Sequence, residues 1–518
     1  MLKLRISPGD VGGQWSWTGS RWQAGTSWIE PYEHPGLERL DPSADRLAMV
    51  VRERCRGMDG HPHHPAWLGD FITVQPRDGA LWLEAGASGV APLYLIERDG
   101  VLHGSWDVTD LREQLRSAAL VPREVARLLG MRFRYAQETL WAGLYRLTER
   151  SRATFGPDGL RLCSPLPAAH SMARDLHVGA DVAAAYEQLL DRAVNRHAYT
   201  PQSAAVELSG GLDSANVAAS LGARHPGQVT ATALMILDEP GRQQRHRREQ
   251  MIDIFGLGDD ITTDMADHLP LSPGGRRATA QAVTAYEDPY DEAKAVLLDR
   301  LRERGVRTVF TGVGGDEMVS LTSAEQPHAP FGVGLQPMPW IGEHTSEALT
   351  DAEHGVAPAT VVNEMTLISQ ACAAPPMLRA GMWPVHPLAD TDLIRFGEWL
   401  PRPWRERKHV HRARLHHRGC SPELLQPPLP ENFAPVMQLG IRRHGLPYLR
   451  RMLDDGAILI EERFIDPDGL AATVDRLADS PFASRDTELY GVIAVETALR
   501  SFAGPPSSPV LRPARQAV

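Results

Sequence analysis

The middle third of the chain alternates between short apolar runs and longer amphipathic segments. The apolar runs have the length and composition of buried strands and lie at residues 204–208, 229–237 and 307–311. A helix is predicted at residues 178–196 from apolar residues on one face. Further helices are predicted at residues 242–255, a basic segment, and at residues 291–304, which Gly305 ends. Strands that alternate with helices predict an α/β domain with a doubly wound parallel sheet. Ligands of such sheets bind beyond the carboxyl ends of the strands.

The first 165 residues show a different pattern, in which short alternating runs are interrupted by Gly and Pro. It predicts a layered β or α+β domain, with strands at residues 68–74, 80–84, 92–97 and 101–105. Asp78-Gly79 and Asp99-Gly100 predict hairpin turns between these strands. Residues 164–171 are small, Pro-containing and unpatterned, which is typical of a linker. We therefore expect one domain over residues 1–165 and a second over 176–518, with a helical C-terminal part.

Composition excludes several classes of function. A net charge of −11 argues against nucleic acid as the main partner. The four cysteines lack Cys-x-x-Cys spacing, which predicts neither a zinc site nor a disulfide framework. No run approaches the ~20 apolar residues that span a bilayer, so no membrane partner and a cytoplasmic location are expected. Only three lysines, Lys3, Lys294 and Lys408, occur among 54 Lys and Arg residues, so each is a stronger candidate for chemistry.

Two glycine-rich turns follow predicted strands. The first is Ser209-Gly210-Gly211-Leu212-Asp213-Ser214. It leads from a strand into a helix, which places backbone N–H groups and a positive helix end where phosphate can bind. The second spans residues 311–317 and contains Asp316. Both turns are expected at one crevice, where Asp213 and Asp316 could hold Mg²⁺ on a triphosphate. A Walker site is excluded because the chain has no Gly-Lys dipeptide.

The first turn resembles the pyrophosphate-binding loop of ATP pyrophosphatases, in the form found in the asparagine synthetase superfamily. The second is similar to that family's Ser/Thr-Gly-x-Gly-x-Asp turn. The resemblance implies that a substrate carboxylate attacks the α-phosphorus of ATP, pyrophosphate leaves, and a nitrogen nucleophile converts the acyl-adenylate into an amide. It implies ATP and Mg²⁺ as cofactors, with the metal on Asp213 and Asp316. The implied ATP contacts are Leu208, Ser209, Gly210, Gly211, Leu212, Asp213, Ser214, Leu234, Met235, Gly312 and Gly314.

The N-terminal region resembles the glutaminase-type domain of asparagine synthetases, an Ntn-type fold. The resemblance rests on Gly69-Asp70-Phe71 and on residues 89–94 and 139–144. Glutaminase chemistry requires a cysteine directly after Met1. Position 2 is Leu2, and the first cysteine is Cys55. We therefore expect a degenerate domain that serves as a scaffold or docks a peptide.

C-terminal segments at residues 386–396, 407–413 and 432–436 resemble further elements of the same family. The second of them contains Lys408, a candidate catalytic cation for the phosphates or the tetrahedral intermediate. The alternative is a solvated basic face, because arginines surround it. His409, His411, His416 and His417 lack the partners of a metal site and are expected at the surface. Glu287 lies where the family builds its substrate pocket and is a further catalytic candidate, although a helix-capping turn explains its segment equally well.

Two departures from the family pattern bear on the reaction. Val313 stands where asparagine synthetases have glutamate and β-lactam synthetases have tyrosine, each tied to deprotonating or positioning the nucleophile. Pro430 stands at the position of a family lysine. Both departures disfavour ammonia-dependent asparagine synthesis and β-lactam closure.

The chain is similar to another branch, the lasso peptide cyclases. This resemblance implies that an Asp or Glu side chain of a precursor (core) peptide is adenylated and joined to the peptide's own N-terminal amine. A peptide amine has a pKa near ~8, so it needs no strong base. A leader peptidase and a leader-recognition protein are candidate partners. Two alternatives stay open: an amide ligase for a small carboxylic acid, and a catalytically dead peptide-binding scaffold.

Overall fold

The N-terminal region folds into two antiparallel sheets with two short helices. The computed structural model describes residues 1–43, 48–56, 69–279, 281–322, 325, 337–483 and 485–503. The elements are β1 (Leu2–Ile6), β2 (Ser16–Trp17), β3 (Trp22–Ala24), β4 (Ser27–Pro31), β5 (Leu37–Leu40), β6 (Met49–Glu53), β7 (Phe71–Arg77), β8 (Ala80–Ala85), β9 (Tyr94–Arg98), β10 (Val101–Ser105), α1 (Arg112–Leu115), α2 (Pro122–Leu129), β11 (Leu144–Arg146), β12 (Arg152–Gly156) and β13 (Gly159–Cys163). The strand orders are β11-β9-β10-β1-β4-β3-β2 and β13-β12-β8-β7-β6-β5.

The two predicted hairpin turns have the backbone conformation that their sequences favour. Asp78 and Gly79 have φ values of 51° and 75°, and Asp99 and Gly100 have 52° and 71°. Two consecutive positive φ values are typical of type I′ turns, which match the twist of the flanking strands. The strand predicted at 68–74 is β7, which begins later, and Leu68 lies outside the described residues.

The second region is built on a parallel sheet, as the alternating pattern predicts. Its elements are α3 (Val182–Arg196), β14 (Ala204–Glu207), α4 (Leu212–Arg224), β15 (Thr230–Met235), α5 (Asp238–Phe255), β16 (Asp260–Asp264), α6 (Asp291–Glu303), β17 (Thr308–Phe310), α7 (Gly315–Met318), α8 (Glu343–Leu349), α9 (Glu364–Arg379) and β18 (Trp383–Val385). The strand order is β16-β15-β14-β17-β18, and every pair is parallel. The chain winds outward from β14 through β15 and β16, and then returns to the other side at β17. The switch point therefore lies between β14 and β17, where such sheets bind ligands.

The C-terminal part is helical, as predicted. Its helices are α10 (Thr391–Trp399), α11 (Arg402–Arg405), α12 (His409–His417), α13 (Pro422–Leu425), α14 (Ala434–Gly440), α15 (Leu446–Asp455), α16 (Ile458–Glu461), α17 (Pro467–Asp479) and α18 (Leu489–Phe502). In the described part of the chain, no helix is long and apolar enough to cross a membrane.

Some predicted helix boundaries differ from the structure for local reasons. The helix predicted from residue 178 begins at Val182, because the Asp181 side chain accepts a hydrogen bond from Ala184 N at 2.9 Å and caps it. The helix predicted from residue 242 begins earlier, at Asp238. Strands β16 and β18 were not predicted, since their sequences are short or largely polar. Each is paired along one edge of the sheet.

Buried polar contacts join the two regions. Glu53, at the end of β6, is 2% exposed and accepts a hydrogen bond from Trp383 Nε1 of β18 at 2.7 Å. Its other carboxylate oxygen accepts a bond from Asp70 N at 2.7 Å. Tyr32 OH donates to the Leu378 carbonyl at 2.9 Å. A buried acceptor that loses its donor is costly, so these contacts fix how the N-terminal sheets pack on the parallel sheet.

We predict that Trp383→Phe lowers the free energy of unfolding by about 1–3 kcal/mol, because the buried Glu53 carboxyl loses a donor. Urea denaturation followed by circular dichroism measures the change. Trp399→Phe is the matched control: Trp399 is 37% exposed and packs against Arg174, so a change within about 0.5 kcal/mol is expected. Equal effects of the two substitutions would contradict the role of the Glu53 contact.

Candidate active site

The first glycine turn is closed by its own serines. Ser209 Oγ accepts a hydrogen bond from Gly211 N at 3.1 Å and lies 3.2 Å from Ser214 Oγ. Gly210 has φ +98°, which favours glycine, and Gly211 is the N-cap of α4. The turn therefore brings the first N–H groups of a 13-residue helix to the end of β14. This is the anion-binding geometry expected from the sequence.

A side chain from α5 holds this turn against the neighbouring strand. Gln244 Nε2 donates to the carbonyl of Ser209 at 2.9 Å and to that of Leu234 at 3.1 Å. Its Oε1 accepts from Ile236 N at 3.0 Å. Arg248, also on α5, donates to the Leu208 carbonyl. The ends of β14 and β15 are thus fixed relative to each other before any ligand binds.

The second glycine turn packs directly on the first. A methyl group on Gly312 would lie 2.6 Å from the backbone nitrogen of Ser214, and one on Gly315 would lie 2.5 Å from Cγ of Asp213. Gly314 has φ +96° and caps α7, whose first turn carries Asp316. Because these approaches leave no space for a Cβ atom, glycine is what allows the two turns to meet.

Lys408 joins the two turns electrostatically. Its Nζ lies 2.6 Å from Asp213 Oδ2 and 2.6 Å from Asp316 Oδ1. Burial lowers the pKa of the ammonium group, but the two carboxylates outweigh burial, raise that pKa and keep the group charged. Burial raises the pKa of Asp213 to about 6, and Lys408 only partly offsets this effect. The structure therefore turns Lys408 toward the two carboxylates rather than into a solvated basic face.

The backbone around Lys408 is in a conformation that non-glycine residues rarely adopt. Arg407 has φ 51° and Lys408 has φ 56°, directly before α12 begins at His409. Each left-handed residue costs on the order of 1 kcal/mol, and such residues cluster at functional sites. This pair reverses the chain so that Lys408 reaches the carboxylates.

The donor set fits a magnesium ion shared with phosphate. Asp213 Oδ1 is buried and has no hydrogen-bond partner among the described residues. Asp316 is 72% exposed at its side chain. No group of three or more His, Cys, Asp or Glu that could hold a metal occurs among the described residues. Hard cations such as Mg²⁺ are commonly held by one or two carboxylates, with phosphate and water completing the shell.

His411 is not at the surface, which corrects the sequence expectation. It is fully buried, its Nδ1 accepts from Tyr186 OH at 2.7 Å, and its Nε2 donates to the Gly315 carbonyl at 3.2 Å. Burial lowers the pKa of His411 to about 3, so the ring is neutral. It faces inward because α12 packs between α3 and α4. The other three histidines, His409, His416 and His417, are exposed as expected.

A cavity of about 660 Å³ opens at the switch point beside the two turns. Leu234 of β15 lines the cavity, together with Ser209, Thr311 and Val313 from the turns that follow β14 and β17. Met235, the other predicted ATP contact on β15, is 1% exposed and lies outside the lining. This cavity therefore adjoins the two glycine turns.

Glu287 lines this cavity, but both of its carboxylate oxygens are engaged. Arg276 Nη1 lies 2.7 Å from Oε2, and Arg379 Nη2 lies 3.1 Å from Oε1. Arg379 also pairs with Asp107 of the N-terminal region at 2.6 Å. A carboxylate whose two oxygens are both held by guanidinium groups is not free to bind a substrate. The ion pairs of Glu287 instead hold the wall of the cavity in place.

The sequence pattern did not place two charged residues of the cavity in the site. Lys294 on α6 and Glu207 at the end of β14 both line it. The scarcity of lysine pointed toward Lys294, but nothing in its own helix distinguishes it from a surface lysine. Glu207 sits inside an apolar strand, two residues before the first turn, and this position was the signal that could have identified it.

The comparison with protein families agrees with this geometry. Residues 185–350 match the family model described as asparagine synthase. This segment of the chain is therefore similar to an asparagine synthase domain. Such domains are ATP pyrophosphatases that use ATP and Mg²⁺ and form amides by adenylation, so the domain indicates an ATP-dependent amide ligase. The match contains both glycine turns and Lys294, whereas Lys408 lies beyond it. No curated protein matches the chain significantly.

We predict that Gly312→Ala weakens Mg·ATP binding by about tenfold, because overpacking costs about 1–3 kcal/mol and separates the turns. Isothermal titration calorimetry with a non-hydrolysable ATP analogue measures it. Gly274→Ala is the control, since nothing lies within 4 Å of its Cβ position. Unchanged affinity in a folded Gly312→Ala protein would show that the contact between the turns does not matter for nucleotide binding.

Proposed function

We propose that this protein is an AMP-forming lasso peptide cyclase. In this proposal it adenylates an Asp or Glu side chain of a precursor peptide and joins it to the peptide's N-terminal amine as a macrolactam. The observation that carries the chemistry is the pair Asp213 and Asp316, bridged by Lys408 at the switch point. ATP is a co-substrate of this reaction.

Each group has a role set by its position. The N–H groups at the start of α4 bind the leaving pyrophosphate, as helix N-termini bind anions. Asp213 and Asp316 would hold Mg²⁺, which when bound neutralises phosphate charge. Lys408, whose ammonium group lies 2.6 Å from both carboxylates, would contact the phosphates or the negative oxygen of the tetrahedral intermediate. Neutral His411 lies behind Asp213, with its Nε2 3.7 Å from Oδ1, which is beyond hydrogen-bond distance.

A peptide substrate is favoured by the walls of the cavity. Leu128, Met131 and Phe133 of the N-terminal region line it together with Met365 and Ile368 of α9. Met131 is 43% exposed and Met365 is 42% exposed, so both side chains present apolar surface to solvent. An apolar wall of this kind suits the side chains of a folded peptide better than a small polar acid. This wall also gives the N-terminal region a role in substrate binding, which does not require the cysteine nucleophile of a glutaminase.

The test is incubation of the purified chain with ATP, Mg²⁺ and synthetic leaderless peptides that have a free N-terminus and one Asp or Glu. AMP, pyrophosphate and a peptide lighter by one water are expected together. An N-acetylated peptide is the control and should give no cyclic product. AMP formation only with small acids would favour a small-molecule amide ligase, and peptide binding without AMP formation would favour the scaffold alternative.

We predict that Lys408→Met lowers turnover by about a hundredfold or more, the cost typical of removing one preorganised charge stabiliser. Mg²⁺ affinity should not fall, because the metal no longer competes with an ammonium group for Asp213 and Asp316. Pyrophosphate release and Mg²⁺ titration separate the two effects. Lys3→Met is the matched control, since Lys3 pairs with Asp110 far from the cavity. Loss of metal binding with normal turnover would contradict this role.

A further inference from the structure

Four carboxylates line the cavity in the described part of the chain, and three of them have cationic partners. Glu287 is paired with Arg276 and Arg379. Asp288 Oδ2 lies 3.3 Å from Lys294 Nζ, and Glu488 Oε1 lies 2.8 Å from Arg485 Nε. The fourth is Glu207. No residue in the described part of the chain donates a hydrogen bond to the carboxyl group of Glu207.

Glu207 is not electrically isolated. It lies close enough to Lys294 and Asp288 for both charges to act on it. Burial raises the pKa of Glu207, and Lys294 partly opposes that effect. For Lys294, burial lowers the pKa, but Asp288 and Glu207 outweigh it and raise the pKa to about 12. The lysine therefore stays charged and is a poor proton acceptor.

The cluster Glu207, Lys294 and Asp288 consequently has two carboxylates and one ammonium. Lys294 makes its direct contact with Asp288, which leaves one negative charge at Glu207 in a largely apolar cavity. An unpaired charge in such surroundings is costly, and a second cation would relieve the cost. A cation that pairs with Glu207 must be small enough to enter the cavity. It must also donate hydrogen bonds close to the place where the acyl group is activated.

We propose that Glu207 binds the protonated amine of the second substrate and accepts its proton. This rests on the proposed amide-forming function. The ammonium gives one proton to Glu207, and the free nitrogen forms a C–N bond with the activated carbonyl carbon. The C–O bond to AMP breaks with its electron pair leaving on AMP, and the second nitrogen proton passes to water. Val313 cannot take this proton, and Glu287 is held by two guanidinium groups.

The first test measures binding without turnover. Hexylammonium and 1-hexanol share an apolar chain and differ in charge, so their affinities are compared by calorimetry with Mg²⁺ present to occupy Asp213 and Asp316. The unmodified protein should bind hexylammonium about tenfold more tightly, as expected for a hydrogen bond to a charged group. Glu207→Gln should abolish this preference. Glu488→Gln, which changes a paired carboxylate in the same cavity, should retain it.

No preference for hexylammonium in the unmodified protein would overturn the proposal, as would an unchanged preference in folded Glu207→Gln. If Glu207→Gln does not fold, Glu207→Asp keeps the charge and should keep part of the preference. A folded Glu207→Asp protein that shows no preference for hexylammonium over 1-hexanol would then overturn the proposal.

The second test separates the two chemical steps. Glu207→Gln should leave pyrophosphate release from an N-acetylated peptide near normal and slow amide formation with methylamine by about a hundredfold. Hydroxylamine is a weaker base that is already unprotonated at neutral pH, so its reaction should slow much less. Equal slowing with both amines would overturn the role as proton acceptor. Absence of adenylation in the unmodified protein would instead contradict the proposed function. The binding test with hexylammonium involves no adenylation, so its result would still decide whether Glu207 binds the amine.

Discussion

The candidate site depends on one ammonium group that two carboxylates share. Asp213 and Asp316 come from two turns that are far apart in the sequence, and each lies 2.6 Å from Lys408 Nζ. Without a cation between them, two carboxylates in a partly buried site would repel each other. Lys408 thus stabilises the close approach of the two carboxylates. The left-handed backbone at Arg407 and Lys408 is the conformational cost of this contact.

The parallel sheet makes this sharing possible. Because β14 and β17 are neighbours although β15, β16 and α6 lie between them in sequence, the turns that follow them meet at one edge. The approach is so close that Gly312 and Gly315 have no space for a Cβ atom. The N-terminal region completes the cavity with Leu128, Met131 and Phe133, and the ion pair between Arg379 and Asp107 ties it to the wall that holds Glu287.

The sequence predicted the features that local pattern encodes. Hairpin turns at Asp-Gly pairs, the parallel sheet and the two glycine turns follow from residue order and spacing. The sequence pattern could not predict features that depend on contacts between segments distant in the sequence. His411 is buried because α12 lies against α3 and α4, a contact between distant segments. Glu287 is not free to bind a substrate because it pairs with Arg379, which lies 92 residues away in the sequence. Glu207 and Lys294 form a cluster only because β14 and α6 adjoin the same cavity.

The most direct test of the account is the path of oxygen from the carboxylate substrate. A synthetic peptide with an ¹⁸O-labelled Asp or Glu side chain is incubated with ATP and Mg²⁺, and the nucleotide products are analysed by mass spectrometry. Adenylation predicts AMP that carries one ¹⁸O atom, because the carboxylate oxygen attacks the α-phosphorus and leaves with AMP. Formation of ADP, with the label in inorganic phosphate, would contradict it.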